Sequence, residues 1–81
     1  MKDINFHINN LLKHNIEWFE AEEAFLDGWS RRRRVEDKYE ILGRTGEGRY
    51  LQILFSDEAD EYWVFHARDM KPTEKRRYHR K

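Results

Sequence analysis

The chain has 81 residues and no cysteine, so its size suits one small domain, and its composition excludes a disulfide framework and a thiolate metal site. Charged residues make up 40% of the chain, and 16 Lys and Arg balance 16 Asp and Glu to a formal net charge of zero, while 15% of the residues are aromatic and supply the large apolar groups of a core. The sequence contains no long apolar run and no signal-peptide core, so we expect one domain over residues 1–81, cytoplasmic and without a membrane partner.

Two helices are predicted in the first third of the chain. A short first helix is indicated by apolar residues that recur at helical spacing, namely Ile4, Ile8, Leu11 and Leu12. It is expected to end at Asn15, because asparagine tolerates the left-handed conformation that closes a helix. A second helix, from Glu17 to about Leu26, is indicated by an apolar stripe made of Trp18, Ala21 and Phe25.

Antiparallel strands are predicted in the middle of the chain. Residues 39–45 and 49–56 flank a glycine-containing connection that is typical of a hairpin. Residues 62–68 form a further strand, and Arg31–Val35 can add a strand at the edge. A period of two in residues 62–68 places Tyr62, Val64, His66 and Arg68 on one side. The same period places on the other side, toward the core, Trp63, Phe65 and Ala67.

The last predicted element is a helix that begins at Pro72, a residue well suited to the first helical position. Glu74 lies in its first turn, and Arg77 and Tyr78 are the i+3 and i+4 neighbours of Glu74, so all three share a face. The predicted fold class is therefore α+β, with two N-terminal helices, a three- to four-stranded antiparallel sheet and a C-terminal helix. We expect the helices to cover one face of the sheet.

Charge is segregated along the chain although the net charge is zero. Before Arg31, only Lys2 and Lys13 oppose six acids, which are Asp3, Glu17, Glu20, Glu22, Glu23 and Asp27. From Arg68 onward, Asp69 and Glu74 are outweighed by seven bases, which are Arg68, Lys71, Lys75, Arg76, Arg77, Arg80 and Lys81. This asymmetry indicates a nucleic-acid face and a separate acidic face, with ordinary solvated helix surfaces as the alternative.

Residues 62–78 bring together the groups that RNA cleavage without a metal requires: a base for the 2′-OH, cations for the phosphorane and an acid for the leaving oxygen. His66 can be the acid or the base, and Arg68 offers a planar fork that suits a phosphate. The alternative for His66 is a half-buried strand histidine bonded to backbone. Glu74 is a candidate base and Tyr78 a candidate acid. The alternatives are a helix-start carboxylate paired with an arginine, and an aromatic residue at the edge of the core.

Five arginines are predicted to bind the RNA backbone, namely Arg31, Arg33, Arg44, Arg49 and Arg77. Such contacts would carry no sequence information and would weaken with salt. A salt bridge from Arg44 to Glu40 is an alternative, and the basic run at residues 31–34 can instead protect an edge strand from aggregation. The four histidines show no metal-ligand spacing with carboxylates, and no phosphate-binding glycine loop is present, so we expect neither a metal nor a cofactor.

Several short motifs, taken in order, resemble the BrnT family of toxins, which has a RelE-like ribonuclease fold. The most specific block is the run from His66 to Met70 followed by Glu74 to Tyr78. The earlier motifs are Lys13-His14, Ile16, Trp18 or Phe19, Glu20, Ala24-Phe25, Gly43-Arg44 and Gly48-Arg49. The resemblance covers most of the chain and implies the toxin of a type II toxin–antitoxin pair, which cleaves RNA and is neutralised by a BrnA-like ribbon-helix-helix antitoxin.

Three classes of function remain open from the sequence. The first is an endoribonuclease whose working surface is the face of His66 and Arg68. The second is a nucleic-acid-binding module without catalysis, in which the same arginines grip phosphates and aromatic rings stack on bases. The third is a partner-binding domain whose edge strand or acidic second helix recruits another protein such as an antitoxin. Homodimerisation is also left open.

Overall fold

The computed structural model describes residues 3–80, so Lys2 and Lys81 of the charge pattern lie outside it. The fold is α+β, with three helices and a five-stranded mixed sheet. The elements in chain order are β1 (Asp3–Phe6), α1 (Ile8–Leu12), α2 (Trp18–Phe25), β2 (Arg31–Val35), β3 (Lys38–Arg44), β4 (Tyr50–Asp57), β5 (Glu61–Asp69) and α3 (Pro72–His79). No helix within residues 3–80 is long and apolar enough to span a membrane.

The sheet has the strand order β1-β5-β4-β3-β2, in which β1 runs parallel to β5 and every other pair is antiparallel. The edge strand Arg31–Val35 is confirmed, whereas the prediction of a purely antiparallel sheet of three to four strands was wrong. Ile4, which was assigned to the first helix, belongs to β1 and pairs with Tyr62. A strand of four residues carries little alternation, and its partner is far away in the chain, so no local signal marked it.

The two N-terminal helices pack on one face of the sheet and enclose the main core. Sheet residues of this core are Ile41, Leu51, Ile53, Phe55, Val64 and Ala67, and the helical side contributes Leu11, Ile16, Ala21, Ala24 and Phe25. Contact between α2 and β3 is very close at Gly43. A Cβ atom at Gly43 would lie 2.0 Å from the carbonyl oxygen of Ala24, so the backbone of α2 rests directly on the strand.

The third helix packs on the opposite face, contrary to the prediction that all helices cover the same face. Tyr78 of α3 forms a smaller cluster with Leu42 and Met70, and Tyr50 packs against its margin. Helix α3 lies over one end of this face, because its contacts are made with β3 and with residues at the start of β4 and the end of β5. The molecule therefore has three layers at that end and two layers elsewhere.

Strand β5 contains a β-bulge that changes which side chains face the core. Leu54 pairs with His66 and Phe55 pairs with Val64, so Phe65 is an extra residue without a partner on β4. Val64 and Ala67 consequently point to the helices and are fully buried. The predicted core side of this strand, with Trp63 and Phe65, was wrong because strict alternation does not continue through a bulge. His66 and Arg68 lie beyond the bulge and do share a face, as predicted.

Candidate nucleic-acid interface

The face of the sheet opposite α1 and α2 is divided by α3 into a covered end and an uncovered end. Side chains under α3, such as Glu40, Leu42 and Gln52, are buried. Farther along the same face the side chains are only partly buried, and we call this part the open face; its residues are Lys38, Leu54, Trp63, Phe65 and His66. The open face places an imidazole and an ammonium group beside apolar and aromatic surface, which suits contact with a nucleic acid.

A second histidine meets His66 at the border of the open face. His14 lies in the turn after α1, which Asn15 closes in a left-handed conformation with φ 59°, and its ring centroid is 4.9 Å from that of His66. The amide of Asn10 donates to the carbonyl of Phe65 at 3.2 Å, so α1 is held along β5. The sequence did not indicate a catalytic role for His14, because its contact with His66 joins segments that are far apart in the chain. Only the Lys13-His14 motif of the family resemblance had drawn attention to it.

The protonation of His66 follows from its surroundings. Burial lowers the pKa of His66 below its ordinary value of 6.5, and the positive charges of His14 and Arg68 lower it further. A lowered pKa means that the neutral imidazole predominates at neutral pH. The neutral ring keeps a nitrogen lone pair that can accept a proton.

Arg68 and Glu74 are bound to each other across the junction of β5 and α3. Two parallel hydrogen bonds of 2.8 Å join the guanidinium to both carboxylate oxygens, and the backbone N–H of Lys71 donates to the same carboxylate at 2.8 Å. Burial raises the pKa of Glu74, but the hydrogen bonds from Arg68 and Lys71 outweigh burial and hold the pKa below its usual value. The structure thus gives Glu74 the predicted ion-pair alternative, and leaves Arg68 with Nε–H directed to no partner among residues 3–80.

A buried carboxylate organises the arginines of β2 and α3. Glu40 accepts hydrogen bonds from Arg33 Nε at 2.9 Å, from Gln52 Nε2 at 2.9 Å and from Arg77. A groove of about 250 Å³ runs past this cluster, and it is lined by Arg31, Arg32, Arg33, Glu40, Arg77 and Arg80. The guanidinium of Arg32 lies on the other face, 5.1 Å from the ring centre of Phe25, so one carboxylate is set against the four arginines Arg31, Arg33, Arg77 and Arg80 and the groove is positive. We call it the arginine groove.

Arg49 is placed apart from the other predicted RNA-binding arginines. Its guanidinium donates to Asp69 at 2.8 Å, to Glu20 at 3.2 Å and to the carbonyl of Asn15 at 3.0 Å. The hydrogen bonds with Asp69, and then those with Glu20, outweigh burial and raise the pKa of Arg49. These contacts tie α2, the turn after α1 and the end of β5 together.

Tyr78 and Arg44 meet around a single carboxylate. The hydroxyl of Tyr78 donates to Asp27 Oδ2 at 2.5 Å, and the same oxygen accepts the backbone N–H of Arg44 at 2.9 Å. Burial raises the pKa of Tyr78 to about 12, and the hydrogen bond to Asp27 adds to the effect. Tyr78 is buried and engaged in this bond, whereas the Arg44 side chain is exposed and lies 5.7 Å from the centre of the Tyr50 ring.

The structure therefore brings the predicted residues together in two groups rather than one. His66 and Arg68 border the open face, and Arg31, Arg33 and Arg77 line the arginine groove. Glu74 connects Arg68 to α3, while Tyr78 lies near the C-terminal end of that helix. No protein-family model and no curated protein matches the chain. Within the described residues, no group of three or more histidines or acidic side chains could hold a metal ion.

Proposed function

We propose that this chain is a metal-independent endoribonuclease of RelE-like fold, acting in the cytoplasm as the toxin of a type II toxin–antitoxin pair. The observation that carries the catalytic part is the contact between His14 and His66 at the border of the open face. Two imidazoles with ring centroids 4.9 Å apart supply the acid and the base that transesterification of RNA requires. The toxin part rests on the resemblance of the sequence motifs to the BrnT family.

The proposed reaction uses the two histidines in opposite senses. Neutral His66 removes the proton of the 2′-OH, and the 2′ oxygen attacks the adjacent phosphorus. The bond from phosphorus to the 5′ oxygen breaks, and that oxygen takes a proton from His14, the more exposed of the two rings. The products are a 2′,3′-cyclic phosphate and a 5′-hydroxyl end. Arg68 and Lys38 place positive charge near the phosphorane, which stabilises the negative charge that develops on its oxygens.

The arginine groove supports binding of the RNA backbone in this proposal. Arg31 and Arg80 have no carboxylate partner among residues 3–80, and Arg33 retains 54% of its side-chain surface exposed despite its bond to Glu40. Guanidinium groups of this kind bind phosphate oxygens and release counterions. The groove adjoins the covered end of the face on which His66 lies, so a single strand can pass from one to the other.

The test of the catalytic part is RNA cleavage in the presence of EDTA. We expect the native chain to cut single-stranded RNA, and His66→Ala or His14→Ala to lower the rate on the order of 10²–10⁴-fold, the usual contribution of a general acid or base. Arg68→Ala should also lower the rate. His7→Ala is the matched control, because His7 contacts Trp63 at 5.0 Å between ring centroids and takes no part in the proposed reaction. If His66→Ala and His7→Ala cleave RNA at the same rate, the assignment of His66 as a catalytic residue is wrong.

The toxin part has its own test. Expression should arrest growth, and co-expression of a neighbouring gene for a ribbon-helix-helix partner should relieve the arrest and yield a complex that co-purifies. Growth arrest that persists in His66→Ala would separate toxicity from cleavage.

A second candidate function is a nucleic-acid-binding module without catalysis. It is favoured by one observation: Arg68, Glu74 and Tyr78, three of the four side chains predicted to be catalytic, are engaged in bonds within the protein. This alternative predicts salt-dependent RNA binding with intact RNA after long incubation at low salt. Product formation that depends on His66 decides against it.

A further inference from the structure

We propose that the pocket between the α2–β2 turn and the C-terminal end of α3 binds an unstacked nucleotide, with its base on Trp29 and its phosphate on Arg44 and Arg31. This inference deepens the proposed function, on which its RNA substrate rests, by naming a site that selects single-stranded RNA. The juxtaposition that carries it is an exposed indole beside two arginines, in a pocket whose lining has no carboxylate among residues 3–80.

The pocket has the size and the rings that a nucleotide needs. Its volume is about 600 Å³, and it is lined by Gly28, Trp29, Ser30, Arg31, Arg44, Tyr50, Tyr78 and His79. Trp29 is 78% exposed, and no ring or cation within residues 3–80 covers its indole. By contrast, Arg44 and Lys75 lie 5.7 and 5.5 Å from the Tyr50 ring centre. The free aromatic surface is therefore that of Trp29.

An exposed indole beside arginines is a suitable platform for a base. Every base has a π-face, and stacking on an aromatic side chain tolerates any sequence. Recognition of RNA generally uses bases splayed out of a single strand and stacked in this way. Burying an otherwise exposed indole against a base also removes apolar surface from water, which favours binding.

The charge around Trp29 determines which side of the indole takes the nucleotide. Arg31 and Arg44 line the pocket, and its lining within residues 3–80 has no carboxylate. Arg44 also lines the neighbouring depression, but there Glu22, Glu23 and Asp27 outnumber it and would repel a phosphate. The oxygens of Asp27 are already engaged, because they accept hydrogen bonds from the Tyr78 hydroxyl and from the backbone of Trp29 and Arg44.

The pocket is continuous with the arginine groove through Arg31, which lines both. The Arg31 guanidinium makes one long hydrogen bond of 3.4 Å to the carbonyl of Tyr78, so it is weakly held. A strand with one base on Trp29 can therefore continue past Arg31 and Arg80 into the groove.

The experiment titrates adenosine 5′-monophosphate into the intact chain and follows the indole N–H signals of the three tryptophans by NMR. We expect the Trp29 signal to shift, and the Trp63 signal, whose N–H is bonded to Glu61 at 2.6 Å, to stay in place. Trp29→Ala should weaken binding about tenfold, as loss of one stacked base typically does. Trp18→Ala is the matched control, because Trp18 is another exposed indole, at 47%, in α2.

Two further comparisons separate the contribution of the base to binding from that of the phosphate. Ribose 5-phosphate should bind more weakly than the nucleotide, because it lacks the base. Gly28→Glu introduces a carboxylate into the pocket lining and should reduce binding several-fold, whereas Gly28→Ala should leave it unchanged, since a Cβ at Gly28 meets no atom within 4 Å. Unfolding temperatures of both variants check that the fold is intact.

The outcomes distinguish this inference from the proposed function. Three results would overturn the nucleotide site even if RNA is cleaved. They are equal binding of the nucleotide by Trp29→Ala and Trp18→Ala, equal binding of ribose 5-phosphate and the nucleotide by the native chain, and no binding of the nucleotide. Binding that depends on Trp29 and persists in His66→Ala supports the site even if RNA is not cleaved.

Discussion

Asp27 shows how one short polar side chain joins three elements. It lies just after Leu26, the residue that ends α2, and it accepts hydrogen bonds from the backbone N–H of Arg44 at the end of β3 and from the hydroxyl of Tyr78 in α3. The backbone N–H of Trp29 also donates a hydrogen bond to Asp27, at 3.0 Å, and this bond orders the turn that follows α2. Because α2 and α3 lie on opposite faces of the sheet, this carboxylate connects the layers around the sheet edge. The hydrogen bond between Tyr78 and Asp27 thereby fixes the position of α3.

Tyr78→Phe tests this connection. The variant keeps the ring and loses the hydroxyl, so we expect a loss of about 1 kcal/mol in the free energy of unfolding at neutral pH. The pKa of Tyr78 is raised to about 12 in the folded chain, against about 10 when unfolded. The native chain should therefore lose this stabilisation as pH rises from 10 to 12, and the phenylalanine variant should not. Urea unfolding at several pH values measures both, and parallel pH curves would contradict the bond.

At the scale of elements, the ion pair of Arg68 and Glu74 holds α3 against the sheet. Arg68 lies at the end of β5 and Glu74 in the first turn of α3, and their side chains are 24% and 12% exposed. The intervening segment contains Pro72, which starts the helix, and Met70, which packs in the second cluster. The pair therefore fixes the angle at which the chain turns from strand to helix, and with it the border of the open face.

Glu74→Gln should weaken the docking of α3. We expect a loss of about 1–2 kcal/mol in the free energy of unfolding at pH 7, because the charged hydrogen bonds to Arg68 become neutral ones. The pKa of Glu74 is lowered from 4.5 in the folded chain. Its stabilisation is hence present above that value and lost as pH falls through the folded pKa. The difference in the free energy of unfolding between the native chain and the variant should therefore become smaller in acid. A gap that stays constant from pH 7 to pH 3 would mean that charge plays no part.

The elements differ in how far the sequence predicted them. Helix α2, the hairpin of β3 and β4, and the start of α3 at Pro72 were predicted, since an apolar stripe, a glycine connection and a proline are local signals. Strand β1 and the bulge at Phe65 were not, because both depend on pairing with distant residues. The bulge matters most for the site, because it lets Val64 and Ala67 both face the core while Trp63 and His66 reach the open face.

At the scale of the whole molecule, the charge segregation along the chain becomes a segregation between faces. The acidic residues in and just before α2 lie on one side of the sheet, and the arginine groove lies on the other. Arg32 departs from this division, because it points to the core side and its guanidinium lies 5.1 Å from the ring centre of Phe25. The sequence predicted a basic surface and named His66 and Arg68, but the contact with His14 required the tertiary fold.

The most direct test of the account is the chemical nature of the ends that the native chain leaves on single-stranded RNA in EDTA. The account predicts a 2′,3′-cyclic phosphate and a 5′-hydroxyl, formed by the native chain and not by His66→Ala, and no cleavage of the same RNA when its 2′-hydroxyls are methylated. Cleavage of the methylated RNA, or ends with a 5′-phosphate, would contradict the two-histidine mechanism.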